Sequence, residues 1–444
     1  MSYDSTLDGI DHSKPASEDP SRLRTFFSIL RRFIGVTDIA TARFSLPAQL
    51  LEPTPNLGPS HPPKHQKAWL NRGIEYWNYL DRPENFISIG KSDDELGRML
   101  EVLRFWFTKD VRYVKGKPCK PYNSVLGEFF RCHWEAEDCQ PSVSPDSIED
   151  SASAGIQAAS NDEKVRVSFI TEQTSHHPPV SAFYINCPQR GISARGFDQI
   201  TAKFSGTSIR IAPGQHNLGI FLNLDRRGNE EYQLTHPAAH IGGWLRGSLS
   251  ISVSDACYVT CAKTRIKVIL QYLEDSWLGK AHYRVAGLIF RYDPENDDKT
   301  KIKEVPEDDI LARIEGSWHE QVYYTLASSL ERRLLVDITP LHPASKIVPP
   351  ENHQLPNESR KCWSEVTMAI HSKQYNLATQ RKHELEERQR VKAAIRMEKN
   401  HEWQPRFFNL PFDPSGKPEL TDDGRKALEK LHNGDYTLEE KEIA

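Results

Sequence analysis

A chain of 444 residues with 38% hydrophobic and 27% charged residues can bury a large core, and its formal net charge of −4 excludes a global basic field for nucleic acid, so any anion site is local. Seven scattered cysteines form no CxxC pair and suit a reducing cytosol; Cys257 and Cys261 sit in a β-like stretch at a poor zinc spacing. No apolar run reaches the roughly 18 residues of a membrane-spanning helix, so membrane contact is expected to be peripheral.

Residues 1–19 are polar and mostly acidic and read as a disordered tail. Across 20–40, Leu23, Phe26, Phe27, Leu30 and Phe33 fall on helical spacing beside Arg22, Arg24, Arg31 and Arg32, with Ser21 as N-cap and Gly35 as stop. That amphipathic helix is either docked on a core or a lid suited to an anionic membrane surface, and both hold if it covers a cavity and is released at a membrane. Leu46, Pro47, Leu50, Leu51 and Glu52, closed by Pro53, indicate an extended edge segment. Residues 66–110 look helical in places, above all Asp94–Phe107.

After Lys117–Glu128 the pattern changes. Phe129–Trp134 opens a β-rich region, and 136–164, acidic and rich in Ser and Ala, reads as a disordered loop inserted between two strands. From Val165 to Tyr292, β-branched and aromatic runs recur between turn residues, among them Val165–Thr171, Ser181–Ile185, Ile192–Gly196, Trp244–Val253 and Tyr258–Ala262, with closing strands around Ile310–Trp318. So many short antiparallel strands must close or stack, and a closed barrel of that size has room for a ligand. The β core is placed at about 115–320, a helical part at 321–410 and a separate C-terminal segment at 411–444. Ala378–Lys399 is crowded with Lys, Arg and Glu; it reads as a solvated helix, yet Lys382, Glu386 and Arg390 line one face over about 12 Å.

The least ordinary run is EQTSHHPP at 172–179. Pro178 restricts His177 to extended conformations, and in an extended chain neighbouring side chains point to opposite faces, which argues against both imidazoles converging on one small ion. Metal ligation lacks a partner motif, with only Glu172 and His133 as further candidates. Catalysis lacks a nucleophile at workable geometry. Structural histidines in a rigid turn, or phosphate binders helped by Lys120, Asn123, Lys382 and Arg390, remain.

EQTSHHPP resembles the signature of the oxysterol-binding protein family. KPYNSVLGE at 120–128, with Ser124 where proline is usual, the stretch from Ser359 through LEERQR at 385–390, and WQPRFF at 403–408 resemble further family segments in family order, covering most of 40–410. The resemblance implies a mainly β fold with flanking helices: an incomplete antiparallel β-barrel of about nineteen strands around a lipid tunnel, with an N-terminal lid and a C-terminal helical layer. It implies no cofactor and no catalysis. Cytosolic exchange of phosphatidylinositol 4-phosphate for a second lipid between membranes follows, with peripheral association at contact sites of the endoplasmic reticulum with plasma membrane or Golgi. A lipid-regulated sensor or scaffold is the alternative. Headgroup ligands carry over onto Lys120, Asn123, His176, His177, Lys382, Glu386 and Arg390. The headgroup brings a charge of roughly −2.5 to −3, which the cations and two imidazoles of this set can offset. The segment Leu46, Pro47, Leu50, Leu51 and Glu52 resembles that of the branch carrying phosphatidylserine, which is slightly favoured over sterol.

Overall fold

The computed structural model describes residues 78–115, 122–145, 164–204, 208–242, 250–273 and 283–441. The expected acidic tail, the lid residues Leu23, Phe26, Phe27, Leu30 and Phe33, the segment Leu46–Glu52, Lys120 and residues 146–163 lie outside the described residues.

Sixteen strands are described, all paired antiparallel. They are β1 (Phe129–Ala136), β2 (Val165–His176), β3 (Pro179–Cys187), β4 (Ile192–Asp198), β5 (Ile200–Phe204), β6 (Ile209–Pro213), β7 (Ile220–Leu224) and β8 (Glu230–Leu234). The second half comprises β9 (Ala238–Gly242), β10 (Ser250–Ser254), β11 (Ala256–Cys261), β12 (Ile266–Tyr272), β13 (Arg284–Arg291), β14 (Ile310–Ser317), β15 (Gln321–Leu326) and β16 (Arg332–Asp337). Twelve form one sheet in the order β1-β2-β3-β4-β7-β8-β11-β12-β13-β14-β15-β16, and β10-β9-β6-β5 form a second. The large sheet does not close, because β1 and β16 are not paired. Instead the chain beyond β16 returns along β1, meeting it at His133 with Ile347 and at Phe129 with Glu358. The expected incomplete barrel is therefore present. The sheet runs past the expected boundary near 320, since Gln321–Asp337 adds two strands where a helical part was expected; β15 has the alternating burial of a strand.

Inside the curl of the sheet lies helix α2 (Glu95–Thr108), entered through the short α1 (Pro83–Ile87) and followed by α3 (Val111–Lys115). Asp94 caps α2, its carboxylate accepting from the Gly97 N–H at 2.7 Å. Met99, Leu100, Val102, Leu103, Phe105, Trp106 and Phe107 join one core with the inward residues of the strands, such as Phe130, Val167, Phe183, Leu222, Val268 and Val322. Its charged residues Arg98, Glu101 and Arg104 are buried too. Arg98 forms a bidentate bridge to Glu230 of β8 at 2.8 and 2.9 Å, and Glu101 accepts from the N–H groups of Gly90, Ser92 and Val143. Gly97 has no room for a Cβ, which would lie 2.3 Å from the Val143 carbonyl. These contacts, with Asp138 bridging to Lys91 and Arg190, clamp residues 138–143 at the start of the 136–164 connection onto the core. The insertion lies between β ends paired at Ala136 and Val165, and at 138–143 it is held on the core rather than disordered as expected.

The helical layer consists of α4 (Ser359–Cys362), α5 (Ser364–His371) and α6 (Tyr375–Glu398). Trp363, Val366, Ala369, Ile370, Ala378 and Leu385 pack there against Tyr122 and Val125. The C-terminal segment is no appendage. Phe407, Phe408, Leu420 and, from α7 (Asp422–His432), Ala427 and Leu428 cover the outer face of β1–β4 at Phe129, Ile170, Val180, Ala182 and Phe197. That cover explains why β2 is buried on both faces over most of its length.

Three buried carboxylates join these layers. Glu128 accepts from the Ser359 hydroxyl at 2.6 Å, the Trp363 indole at 2.9 Å and the Val125 N–H at 3.0 Å. Glu172 accepts from the N–H groups of Arg406 and Phe407, both at 2.8 Å. Glu358 pairs with Arg131 of β1 at 3.1 Å, both side chains out of solvent.

Arg131→Met leaves the Glu358 carboxylate buried without its cation, and the expected cost is about 3–5 kcal/mol, read as a fall in the urea midpoint; adding Glu358→Met should recover part of that loss. Burial pushes Glu172 up to about 7 despite its two N–H donors. The native state then holds a proton that the unfolded chain, with an ordinary Glu near 4.3, has released. Glu172 thus makes stability fall as pH rises from about 4.5 towards 7. In a urea series across that range, Glu172→Gln should be less stable by about 1–3 kcal/mol and should lose that downward slope.

Candidate functional site

The EQTSHHPP run is a hairpin. β2 ends at His176, which pairs with Pro179 of β3, leaving His177 and Pro178 as a two-residue turn with a cis peptide bond between them. The register shifts between Gln173 and Ser175. The Gln173 side chain spans this irregularity, donating to the Ser175 carbonyl and accepting from the Ser181 hydroxyl, both at 2.7 Å. Because His177 is a turn residue rather than a strand residue, the expectation of opposed imidazoles does not hold. The two rings meet edge to face with centroids 4.6 Å apart. Convergence on one ligand group is therefore geometrically open.

His176 is half-buried and His177 exposed. The His176 pKa is lowered, first by burial and then by the neighbouring His177; a hydrogen bond with the Ser124 backbone and the charge of Glu386 work the other way. The Nδ1 atom of His176 is buried and has no protein partner among the described residues. Those influences identify the neighbours of the hairpin: the 122–128 loop on one side and α6 on the other.

On α6, Lys382 is buried at 3% exposure, and its ammonium lies 3.8 Å from Glu386. Burial lowers the lysine pKa, and Glu386 opposes the shift. Glu386 is also 3.6 Å from His383 and 4.0 Å from Arg390. Arg390 is largely exposed and donates to Glu387 at 2.5 Å. The Lys–Glu–Arg row expected from the sequence is present as a row, with one end buried against the hairpin and the other in solvent. Asn123 is exposed between buried Tyr122 and Ser124, and Tyr122 stacks on Trp363 with ring centroids 4.7 Å apart. The structure thus brings His176, His177, Lys382 and Glu386 together, with Asn123 on the adjoining loop and Arg390 one turn farther along α6.

Trp403, the first residue of WQPRFF, supports the hairpin. Its indole donates to the Thr174 carbonyl at 3.1 Å, and the ring lies over Gly127, where a Cβ would sit 2.5 Å from it. Gly127 also has φ +74°, so the LGE glycine is required twice over. Thr174 in turn donates to the Pro411 carbonyl at 2.5 Å. The supports of the site, Glu128, Glu172, Thr174 and Trp403, all stand within the four matched segments. Their motif membership was the available signal, but not their partners.

Chemically, the arrangement offers two imidazoles, a buried ammonium and an exposed guanidinium, with one carboxylate orienting the cations. That donor set suits a phosphate ester.

Residues 25–378 match the family model described as oxysterol-binding protein. Oxysterol-binding protein-like protein 1 of Schizosaccharomyces pombe is 41% identical, over 94% of this chain and 93% of the relative. Oxysterol-binding protein-related protein 9 of Homo sapiens is 31% identical over 75% of this chain but only 42% of the relative, so the chain spans less than half of that longer protein. Among solved structures, the Osh1 ORD domain in complex with cholesterol has a TM-score of 0.60 at 19% identity, covering 98% of this chain and 95% of that one. The Osh3 ORD of Saccharomyces cerevisiae in complex with PI(4)P has a TM-score of 0.58 at 16% identity, with 92% and 93% covered. At those identities the two structures establish the fold, and the sequence matches establish the kinship: this chain belongs to the oxysterol-binding protein family.

Proposed function

We infer that this protein binds the headgroup of phosphatidylinositol 4-phosphate between the β2–β3 turn and α6, and exchanges that lipid for a second one between membranes without catalysis. The observation that carries the reading is the unpartnered, buried Nδ1 of His176 beside His177 and the Lys382–Glu386 pair. A buried polar atom without a partner is costly, and a phosphate oxygen is a partner of matching chemistry. Lys120, Asn123 and Arg390 complete the ligand set on this reading. The Osh3 structure with PI(4)P supports the choice of phosphoinositide. Phosphatidylserine is slightly favoured as the second lipid from the segment Leu46, Pro47, Leu50, Leu51 and Glu52; sterol is the other candidate, supported by the Osh1 structure with cholesterol. Residues 20–40 act as the lid, and the protein works in the cytoplasm at contact sites of the endoplasmic reticulum with plasma membrane or Golgi.

Transfer of phosphatidylinositol 4-phosphate between liposomes is the decisive measurement. His176→Ala with His177→Ala should slow it about tenfold or more, since charge-assisted hydrogen bonds contribute about 1.5–3 kcal/mol each. Equal rates would sink the assignment. Tight binding with no transport above spontaneous exchange would favour a sensor.

The site should also respond to pH. Burial holds His176 neutral in the free site, whereas a bound phosphate favours the imidazolium, so binding takes up a proton. Affinity for a soluble short-chain phosphatidylinositol 4-phosphate should therefore rise as pH falls from 8 to 6.5, ending where the monoester itself protonates near 6. Calorimetry in buffers of different ionisation enthalpy should register proton uptake in the wild type and a smaller one in His176→Ala.

A further inference from the structure

We propose that the C-terminal cover closes over a binding site for a small tetrahedral oxyanion, inorganic phosphate or sulfate, on the outer face of β1 and β2. On β1 the inward Phe130, Cys132 and Trp134 alternate with the outward Phe129, Arg131 and His133. His133 pairs with Ser168 of β2, and directly opposed residues of this kind have Cβ atoms about 5 Å apart. Arg131 lies about 7 Å farther along β1 on the same face. Arg131, His133 and Ser168 are 0%, 1% and 1% exposed. The cover closes this face by three contacts. Arg166 of β2 donates to the carbonyl of His432, the last residue of α7, at 2.6 Å. The Nη2 of Arg131 donates to the Tyr436 carbonyl at 2.9 Å. The Tyr436 ring lies 13° from parallel to that of His133, with centroids 6.0 Å apart.

Four polar atoms here are buried and have no protein partner among the described residues: Nη1 of Arg131, Nδ1 of His133, Oγ of Ser168 and Nδ1 of His432. Single orphans of this kind occur, but buried polar groups as a rule are hydrogen-bonded, and four gathered at one interface point to a shared partner. That partner has to accept. The Arg131 guanidinium is a donor only, and its Nε and Nη2 face Glu358 at 3.1 and 3.4 Å, which leaves Nη1 on the opposite edge. Burial, then the Arg166 charge, lowers the pKa of His133 to about 4, and the same two influences lower that of His432. Both rings are therefore neutral near pH 7, and each donates when its proton sits on Nδ1. The Ser168 hydroxyl is the fourth donor.

A tetrahedral oxyanion presents an acceptor at each corner and meets four donors at once. A buried water makes about three hydrogen bonds in all, and only some of them as acceptor. Charge favours the anion as well. Arg131 and Arg166 bracket the face, and the carboxylates beside them, Glu358 and Glu135, are already engaged by those two arginines. Hydrogen bonds from guanidinium to an oxyanion are of the strong, charge-assisted kind. The ion ties α7 and the chain after it to β1 and β2 through groups that otherwise lack a partner. The site is distinct from the histidine turn, which lies beyond the other end of β2, and it does not depend on the lipid-exchange reading.

The test is hydrogen exchange of the full chain, desalted into chloride and then placed in chloride, phosphate or sulfate at equal ionic strength, read by mass spectrometry. An anion at ten times its dissociation constant should slow exchange about tenfold in the segments that open with the cover, 129–136, 165–172 and 422–436. Ser168→Ala and His432→Phe each remove one donor and should lose most of that slowing. Exchange elsewhere in the sheet, measured in chloride, shows that both variants are folded. Slowing at the histidine turn and α6 belongs to the other site and should persist in both. An ion held through desalting is detected by ion chromatography of the denatured protein; an equimolar amount in wild type and none in the variants supports the proposal equally. Slowing spread evenly over all segments, slowing in the variants equal to wild type, or no slowing together with no retained ion would overturn it.

Discussion

A carboxylate taken out of water must find hydrogen-bond donors, and Glu172 finds two in the backbone of a segment 234 and 235 residues away. That one contact decides where the C-terminal chain lies. Once Arg406 and Phe407 are held against β2, Phe407 and Phe408 reach the outer face of the sheet, and α7 follows to cover it. Glu128 does the same for the helical layer. Its two oxygens collect Ser359, Trp363 and the Val125 N–H, so the start of the layer is pinned to the loop that precedes β1. With an open sheet whose end strands do not pair, such ties replace the ladder that would close a barrel.

The candidate site inherits its geometry from those ties. The histidine turn is shaped by the Gln173 bridge and held from behind by Trp403 and Pro411. α6 reaches the turn because α4 and α5 before it are anchored through Glu128, and its far end is held through Arg396 on Trp403. The charges at the site are unevenly solvated: Lys382 is buried while Arg390 is open to water. A phosphate entering would therefore exchange water for a desolvated ammonium and imidazole, where electrostatic attraction is less screened than at a surface.

Much of the local structure was legible from residue spacing. The apolar period over Asp94–Phe107 marked α2 to within a residue at each end. β-Branched runs marked most strands of the large sheet. β8 carries no such run, since EEYQL reads as polar, yet its Glu230 is buried in a bridge with Arg98 and its Tyr232 and Leu234 face the core. β16 is obscured in a similar way, its RRLLVD carrying two arginines at the start. In both, polar residues have partners far along the chain, which no local pattern reveals.

What the sequence by itself determined is the family, through four segments in order, and with it the chemistry available: two histidines in a turn and a Lys–Glu–Arg row at helical spacing. It also determined which residues would be extended and which helical wherever one face is apolar, because those periods of 2 and 3.6 are properties of the local backbone. Only the tertiary structure decided that the two imidazole rings meet edge to face, that Lys382 rather than Arg390 is buried, and that the last segment is a cover for the sheet. Each of those depends on contacts between residues tens to hundreds of positions apart, such as Glu172 with Phe407 and Gly127 with Trp403, and the environment of a side chain is set by those distant neighbours rather than by the residues beside it.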